Sequence, residues 1–302
     1  MRRVSIASVS GLLAVLVLGS LLRSPLAAAA GGSAARARSH RGWGYLIDKL
    51  GADGLPRERV LKVFRDPRFG TFTELEFSLS PRESPRSYRS LLGPTGVTRA
   101  RRCAADHAVA LRAAEREHGV PASVVAAILY IESGCGRNTG SHRILPRLAR
   151  LAMANEPGNL RRNIERHRKD HPPARREEAE PLTRARGRAL EEMFYPEVRA
   201  TFVLADRLGI DPLAIRGSRS GAFGLPQFLP SSYLKHAVDG DGNGAISLHD
   251  PEDAIASCAN YLAAHGWRPG LSLAQRREVL WSYNHSAAYI DAVLALAKRL
   301  GH

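Results

Sequence analysis

The chain has 302 residues, 44% of them hydrophobic, enough to bury the core of one or two domains and too many for a wholly disordered protein. Its 44 Lys and Arg against 29 Asp and Glu leave a net charge of +15, which points to an anionic partner: nucleic acid, anionic lipid and anionic cell-wall polymer all fit. The only long apolar run lies in the first thirty residues, which excludes a polytopic membrane protein.

That first run reads as a targeting segment. Arg2 and Arg3 precede an apolar stretch over residues 9–22, Arg23 and Pro25 cut it short, and Ala27, Ala28, Ala29 and Ala30 supply an A-x-A-like cleavage site. Residues 1–30 are expected to be a cleaved signal peptide with no lipid-modified cysteine beside it, leaving a periplasmic or secreted protein. Residues 31–102 then read as a small basic module, with 15 basic and 7 acidic residues. Periodicity predicts short amphipathic helices over 43–50 and 57–64, followed by a Ser-, Pro- and Arg-rich loop or linker over 78–94.

Residues 103–302 have a helical texture. An Ala-rich helix is expected over 104–118, ended by Gly119, and a second begins at Pro121, where proline is well tolerated. Residues 155–192 carry 10 basic and 8 acidic residues, which nearly cancel, around Pro172 and Pro173. They read as a flexible insertion or two solvated helices, with no binding role. Helical patterns return over 198–208, 251–265, 274–281 and 288–300. There is no repeat, phosphate loop or βα alternation, so the class is mainly α with at most a small hairpin. Cys103, Cys135 and Cys258 permit one intramolecular bridge and lack zinc-ligand spacing, so their pairing stays open.

Glu132 is the candidate catalytic residue. It follows Val125, Ile128 and Leu129 at offsets of seven, four and three, on the same helix face as this apolar stripe. It also lies in the last turn before Ser133-Gly134, where the negative end of the helix dipole and desolvation both favour the protonated acid. A carboxylic acid kept neutral near pH 7 is what protonating a glycosidic oxygen requires. The bland alternative is a structural carboxylate paired with a neighbour such as Arg137.

The surrounding motifs bear on that choice. Ile131-Glu132-Ser133-Gly134, then Gly217-Ser218-Arg219-Ser220-Gly221-Ala222-Phe223-Gly224, Pro226-Gln227-Phe228-Leu229-Pro230, Ala259-Asn260-Tyr261-Leu262 and Tyr283-Asn284-His285-Ser286 follow one another in order. Together they resemble the membrane-bound lytic murein transglycosylase B family, over roughly residues 104–300. The resemblance implies a lysozyme-like helical catalytic domain. It implies cleavage of the β-1,4 bond between N-acetylmuramic acid and N-acetylglucosamine in peptidoglycan strands, leaving 1,6-anhydromuramic ends, with Glu132 as the single acid and base. It also implies that Ser218, Gln227, Phe228, Tyr283 and Asn284 line the saccharide groove. For Phe228 a core position, for Ser218 and Asn284 a capping role, and for Tyr283 a structural role are the competing readings. Cys135 departs from the family, which commonly has an aromatic residue there.

A second motif lies inside this region. Residues 239–250 follow the twelve-residue EF-hand calcium loop, with Asp239, Asp241 and Asn243 at positions 1, 3 and 5, Gly244 at the sharp turn and the Ala245 carbonyl at 7. Ser247 stands at 9, Ile246 is expected in a short β bridge, and Asp250 fills the last position, where Glu is usual. The expectation is a structural Ca2+ and no organic cofactor, with Asp250 also able to cap the next helix.

Two rival functions remain: a muramidase that uses water, which requires a second carboxylate, and a noncatalytic calcium-dependent wall-binding protein. Nucleic-acid binding lacks any RNP-like or zinc-finger pattern. Once Arg2, Arg3 and Arg23 are set aside, most of the basic excess falls in residues 31–102, which suggests that this module holds a monomeric enzyme against anionic wall or membrane surfaces.

Overall fold

The computed structural model describes residues 39–80, 83–173 and 176–301. The expected signal peptide lies outside the described residues, as does the start of the basic module. Thirteen α-helices occur among them: α1 (Gly44–Ala52), α2 (Arg57–Arg65), α3 (Arg89–Leu92), α4 (Pro94–Asp106), α5 (Ala108–His118), α6 (Ala122–Ser133), α7 (Ile144–Ala152), α8 (Pro157–Asp170), α9 (Arg176–Leu208), α10 (Pro230–His236), α11 (Pro251–Ala264), α12 (Leu273–Tyr283) and α13 (Ala287–Leu300). β1 (His142–Arg143) pairs antiparallel with β2 (Arg216–Gly217), His142 opposite Gly217. No helix among the described residues is long and apolar enough to cross a membrane. The mainly α reading therefore holds, with a single minimal ladder.

The chain forms two compact units, and they do not divide at residue 102. One unit comprises the segment ending at Ile144 together with the chain from Arg216 onwards; the other joins the segment ending at Ser80 to Leu145–Ile215. The boundary expected between 102 and 103 falls inside α4. α4 runs continuously across that position.

In the first unit α6 is central. Residues 124–131 of this helix are all buried, on every side and not on one stripe, as a core helix requires. Each large aliphatic side chain so buried contributes about 1.5–3 kcal/mol. Pro121 precedes the helix and Gly134, at φ +61°, ends it in the left-handed region that glycine adopts freely. α4 and α13 pack on α6, and α5 packs on both α6 and α11. Residues 104–118 are not one helix: the chain turns at His107 (φ −114°, ψ 22°) between α4 and α5, and α5 runs on to pack along α11.

In the second unit Trp43 gathers Phe64, Phe69 and Phe72 at ring separations of 5.0–5.8 Å, and its Nε1 donates to the Gly70 carbonyl. Residues 155–192 take the two-helix alternative, in α8 and the first part of α9, with one face buried as framework. Asn159, Asn163 and His167 recur every four residues on the buried side of α8. Asn159 Oδ1 accepts from Leu75 N (2.7 Å), Asn163 Nδ2 donates to the Leu75 carbonyl (2.8 Å), and His167 bridges the Phe77 carbonyl and Thr183 Oγ1. These side chains satisfy an extended segment that has no sheet to join. α9 packs along α8 and continues through Pro196 to Leu208, absorbing the separate helix expected over 198–208.

Candidate active site

Glu132 occupies the last turn of α6. Although the residue retains some solvent contact, its carboxyl lies deep in the protein, and that burial pushes its pKa up to about 8. The neighbouring Tyr289 hydroxyl acts in the opposite direction, and the Glu83 carboxylate adds to the rise. Arg137 does not pair with the acid; its Nε donates to the Gly134 carbonyl at 3.2 Å.

The turn that follows Glu132 is fixed from two sides. Ser133 Oγ donates to the Leu225 carbonyl at 2.8 Å and accepts from Gly136 N at 2.9 Å. Cys135, at φ +58°, is disulfide-bonded to Cys103 of α4, with Cα atoms 6.4 Å apart. This settles the open pairing and gives Cys135 a tether in place of an aromatic ring. Cys258 is free, and burial pushes its thiol up to about 12, so it is not a poised nucleophile. At Gly140 a side chain would meet the Gly217 carbonyl at 2.2 Å, so only glycine lets this turn pass the β2 backbone.

Of the five groove residues expected from sequence, Tyr283 bears on the acid, and several of the five serve as scaffold. Tyr283 lies near Glu132, but its hydroxyl donates to the Pro226 carbonyl at 2.6 Å and contacts Cys258 Sγ at 4.0 Å, so it ties the Pro226 loop to α12. Asn284 follows it, buried, with an unpartnered Oδ1. Gln227 is left-handed (φ +52°) and its Nε2 donates to the Thr139 and Gly224 carbonyls at 3.1 and 2.8 Å. With both amide hydrogens spent, only Oε1 is able to meet a ligand. Phe228 is 3% exposed and packs against Tyr261 and Tyr283, so it is core and not a groove wall. Ser218, 2% exposed, uses its hydroxyl to accept from Ala222 N, closing the turn after β2 and not facing an open groove.

Three residues at the acid escaped the sequence reading. Tyr289 of α13 is 1% exposed and stacks on Tyr283 with ring centres 6.4 Å apart. Its hydroxyl has no hydrogen-bond partner of good geometry, though it lies close enough to Glu132 to influence the acid. Tyr88 packs edge-on against Tyr289 at 6.2 Å and donates a short hydrogen bond to Glu83 Oε1. Glu83 and Tyr88 sit in the stretch expected to be loop; the Ser84-Pro85 pair, which starts a 3-10 turn with Ser84 Oγ accepting from Arg86 N, was the available signal. Glu83 Oε2 and Tyr289 Oη, in groups that bear on the acid, are buried without a partner, as are Asn284 Oδ1 and His285 Nδ1, which follow Tyr283 in sequence. Buried polar atoms left unpaired in a folded protein call for a ligand or a function.

The candidate metal loop precedes α11. Asp239 accepts from Gly242 N and Asn243 N through Oδ1 and from Gly244 N through Oδ2 (2.7–3.2 Å), which folds the loop back on its first residue. These backbone donors, Gly244 first, hold its carboxyl below the usual range. Carboxylate oxygens of Asp239, Asp241 and Asp253 lie within 4.8 Å of one another. Asp253, 1% exposed, also accepts from Gly240 N and Ser247 N at 2.7 Å. Three convergent carboxylates fit a hard divalent cation, and Asp253 among them lies outside the expected set. Asp250 accepts from Glu252 N as the cap of α11, and Asp253, one helical turn later, supplies the third acid. Asn243 Oδ1 accepts from Ala245 N, and Ser247 Oγ accepts from His249 N. Ile246 makes no bridge; its carbonyl accepts from the Tyr233 hydroxyl.

A family model described as "Transglycosylase SLT domain" matches residues 43–279. The chain is 37% identical over 161 residues to membrane-bound lytic murein transglycosylase B of Escherichia coli K12; the aligned stretch is 53% of this chain and 36% of that protein, so the chain matches about a third of that relative's length. Among solved structures, the catenated lytic transglycosylase SltB1 of Pseudomonas aeruginosa is 26% identical with a TM-score of 0.62, covering 85% of this chain and 96% of that one. The Escherichia coli lytic transglycosylase Slt35 in complex with calcium is 25% identical with a TM-score of 0.60, covering 86% and 92%.

Proposed function

Because the chain belongs to the transglycosylase SLT domain family, we propose that it is a peptidoglycan lytic transglycosylase whose acid and base is Glu132. It cleaves the β-1,4 bond between N-acetylmuramic acid and N-acetylglucosamine and leaves a 1,6-anhydromuramic end, working outside the cytoplasm after export. The observation that carries this reading is Glu132 itself: a carboxyl whose burial keeps its proton on near pH 7, among tyrosines and unpartnered polar atoms.

Glu132 gives its proton to the glycosidic oxygen as that bond breaks. The anion so formed then takes the proton of the muramic 6-hydroxyl as that oxygen closes on C1, which returns Glu132 to its starting state. Asn284 Oδ1 and Gln227 Oε1 are suited to accept from acetamido N–H or sugar hydroxyl groups, and Tyr283 holds the Pro226 loop that presents Gln227. Asp239, Asp241 and Asp253 would hold a calcium ion whose contribution is structural, tying the loop to α11; the calcium complex of a similar protein supports this.

The test is mass spectrometry of muropeptides released from murein sacculi. Anhydro ends are expected from the wild type and none from Glu132→Gln. Ordinary reducing ends would replace the lytic reading with that of a muramidase. Sacculus binding without sugar release by the wild type would favour a noncatalytic wall protein.

A further inference from the structure

The turn after Glu132 is left-handed over three consecutive residues, Gly134, Cys135 and Gly136, at φ +61°, +58° and +82°. Two are glycines, which adopt this conformation freely; Cys135 carries a β-carbon and is strained by it. Four non-glycine residues among those described have positive φ, and two of them, Cys135 and Gln227, stand in loops that touch each other. Strained backbone gathered in one place is a mark of function. The turn also serves both parts of the site. Gly134 N and Cys135 N donate to the Tyr130 and Leu129 carbonyls at 2.9 and 3.1 Å, closing the helical turn that bears Glu132. Ser133 Oγ and Gly136 N join the turn to the Leu225 carbonyl, and a β-carbon on Gly136 would stand 3.1 Å from the Leu225 side chain. The Thr139 carbonyl then holds the Gln227 amide. Cys135 is thus the strained link between the acid and the loop that presents Gln227, and its bond to Cys103 ties it to α4, which packs on α6.

We propose that Cys135 is a positioning residue under redox control. Bridged to Cys103, it stays left-handed and keeps Glu132 in register with the Gln227 loop; opened by a dithiol, it relaxes and the reaction slows in a protein that remains folded. The proposal rests on the reading of Glu132 as the acid. Cys135 retains solvent contact whereas Cys103 is 8% exposed, so the Cys135 sulfur is the one open to attack. One thiolate of the dithiol bonds to that sulfur as the S–S bond breaks and Cys103 leaves. The reagent's second thiolate then displaces Cys135, so that two electrons and two protons pass to the cysteine thiols and the dithiol ends as a disulfide. The continuous buried run of α6 covers residues 124–131 and stops short of the bridge, so opening acts on the turn before it acts on the core. Because disulfides persist in oxidising compartments and not in the cytosol, an exported enzyme of this kind reaches full activity only where its substrate lies.

The experiment measures kcat and KM on soluble murein glycan strands, well below every melting temperature, for four samples. These are the oxidised wild type, the wild type treated with dithiothreitol, Cys103→Ala with Cys135→Ala, and Cys103→Ala with Cys135→Gly. Alkylation in denaturant should count one thiol before dithiothreitol and three after it. Dithiothreitol and the double alanine variant should each lower kcat roughly ten- to a hundred-fold, the loss expected when reacting groups are misplaced by about an ångström. The glycine variant lacks the bridge and melts below wild type as the alanine variant does, yet it takes the left-handed turn freely. It should recover most of the lost kcat and ignore dithiothreitol. A bridge that only staples the fold would leave the alanine and glycine variants equally active, which overturns the proposal, as does wild-type kcat in the double alanine variant. Should that variant fail to fold, the dithiothreitol-treated wild type takes its place; should dithiothreitol leave the thiol count at one, the two variants decide. Undiminished activity in Glu132→Gln overturns the acid reading beneath; an inactive Glu132→Gln beside a fully active double alanine variant removes the Cys135 proposal only.

Discussion

Replacing Glu132 with glutamine separates the chemistry of the acid from the cost of burying it. An ordinary glutamate titrates near 4.5, and here burial pushes the value up to about 8. Because the folded value is the higher one, the protonated acid's contribution to stability is complete below about pH 4.5 and is lost as pH rises through 8. At about 1.4 kcal/mol per pH unit the full swing is roughly 4–5 kcal/mol, and water at this partly open site reduces it to about 2–4 kcal/mol. Glutamine has the shape of the protonated acid and never ionises. The variant should therefore match wild type near pH 4.5 and exceed it increasingly towards pH 9. In a protein of this size that gap corresponds to a melting-temperature difference of about 5–10 °C. Parallel thermal melts by circular dichroism across pH 4.5–9 measure it. A difference that stays flat over that window would show that the carboxyl is not held in the interior, and the acid assignment would lose its physical basis.

Calcium should raise the melting temperature of the wild type in calorimetry against chelator. Asp239→Ala and Asp253→Asn should each abolish the rise, whereas Asp250→Asn, still a competent helix cap, should keep it; the opposite pattern for residues 250 and 253 would restore the twelve-residue reading. Breaking the Cys103–Cys135 bridge by Cys103→Ala with Cys135→Ala should cost about 3–4 kcal/mol for a closed loop of this length and reduce murein cleavage by loosening the turn after Glu132. Identical denaturant midpoints for the double variant and wild type would refute the stabilising role.

What the sequence made legible was local. Glu132 stood out because its offsets from Val125, Ile128 and Leu129 and the stop at Gly134 all lie within one helix. Glu83 and Tyr88 did not, because they reach Glu132 only through the packing of the Pro85–Tyr88 turn on α13, and their own stretch reads as Ser-, Pro- and Arg-rich loop. Phe228 and Ser218 lie within motifs whose shape they build, and position in a motif does not distinguish a side chain that faces the groove from one that supports it. The metal loop showed only part of its acid cluster through fixed spacing: Asp250 completes the twelve-residue pattern and caps α11, while Asp253, inside that helix, brings its carboxylate to Asp239 and Asp241 from beyond the pattern. In residues 155–192 the two helices were legible, but their balanced charges concealed Asn159, Asn163 and His167 recurring on one buried face.

The strong basicity of the chain makes the environment of the acid more informative. A cation beside Glu132 would stabilise its anion and defeat proton donation, and with 44 Lys and Arg in the chain such a neighbour would be easy to acquire. Arg137, five residues away, is the nearest basic residue that follows it in sequence, and it turns back to the Gly134 carbonyl. The groups that do face the acid are tyrosines, a thiol and another carboxyl. Among the described residues positive charge is thus kept off the acid while it is abundant elsewhere, an arrangement suited to a carboxyl that must remain protonated on a protein attracted to anionic surfaces. It follows that introducing a cation here, as in Tyr88→Lys, should silence the enzyme by ionising Glu132 even where the fold survives, and the loss should be least at low pH, where the proton returns.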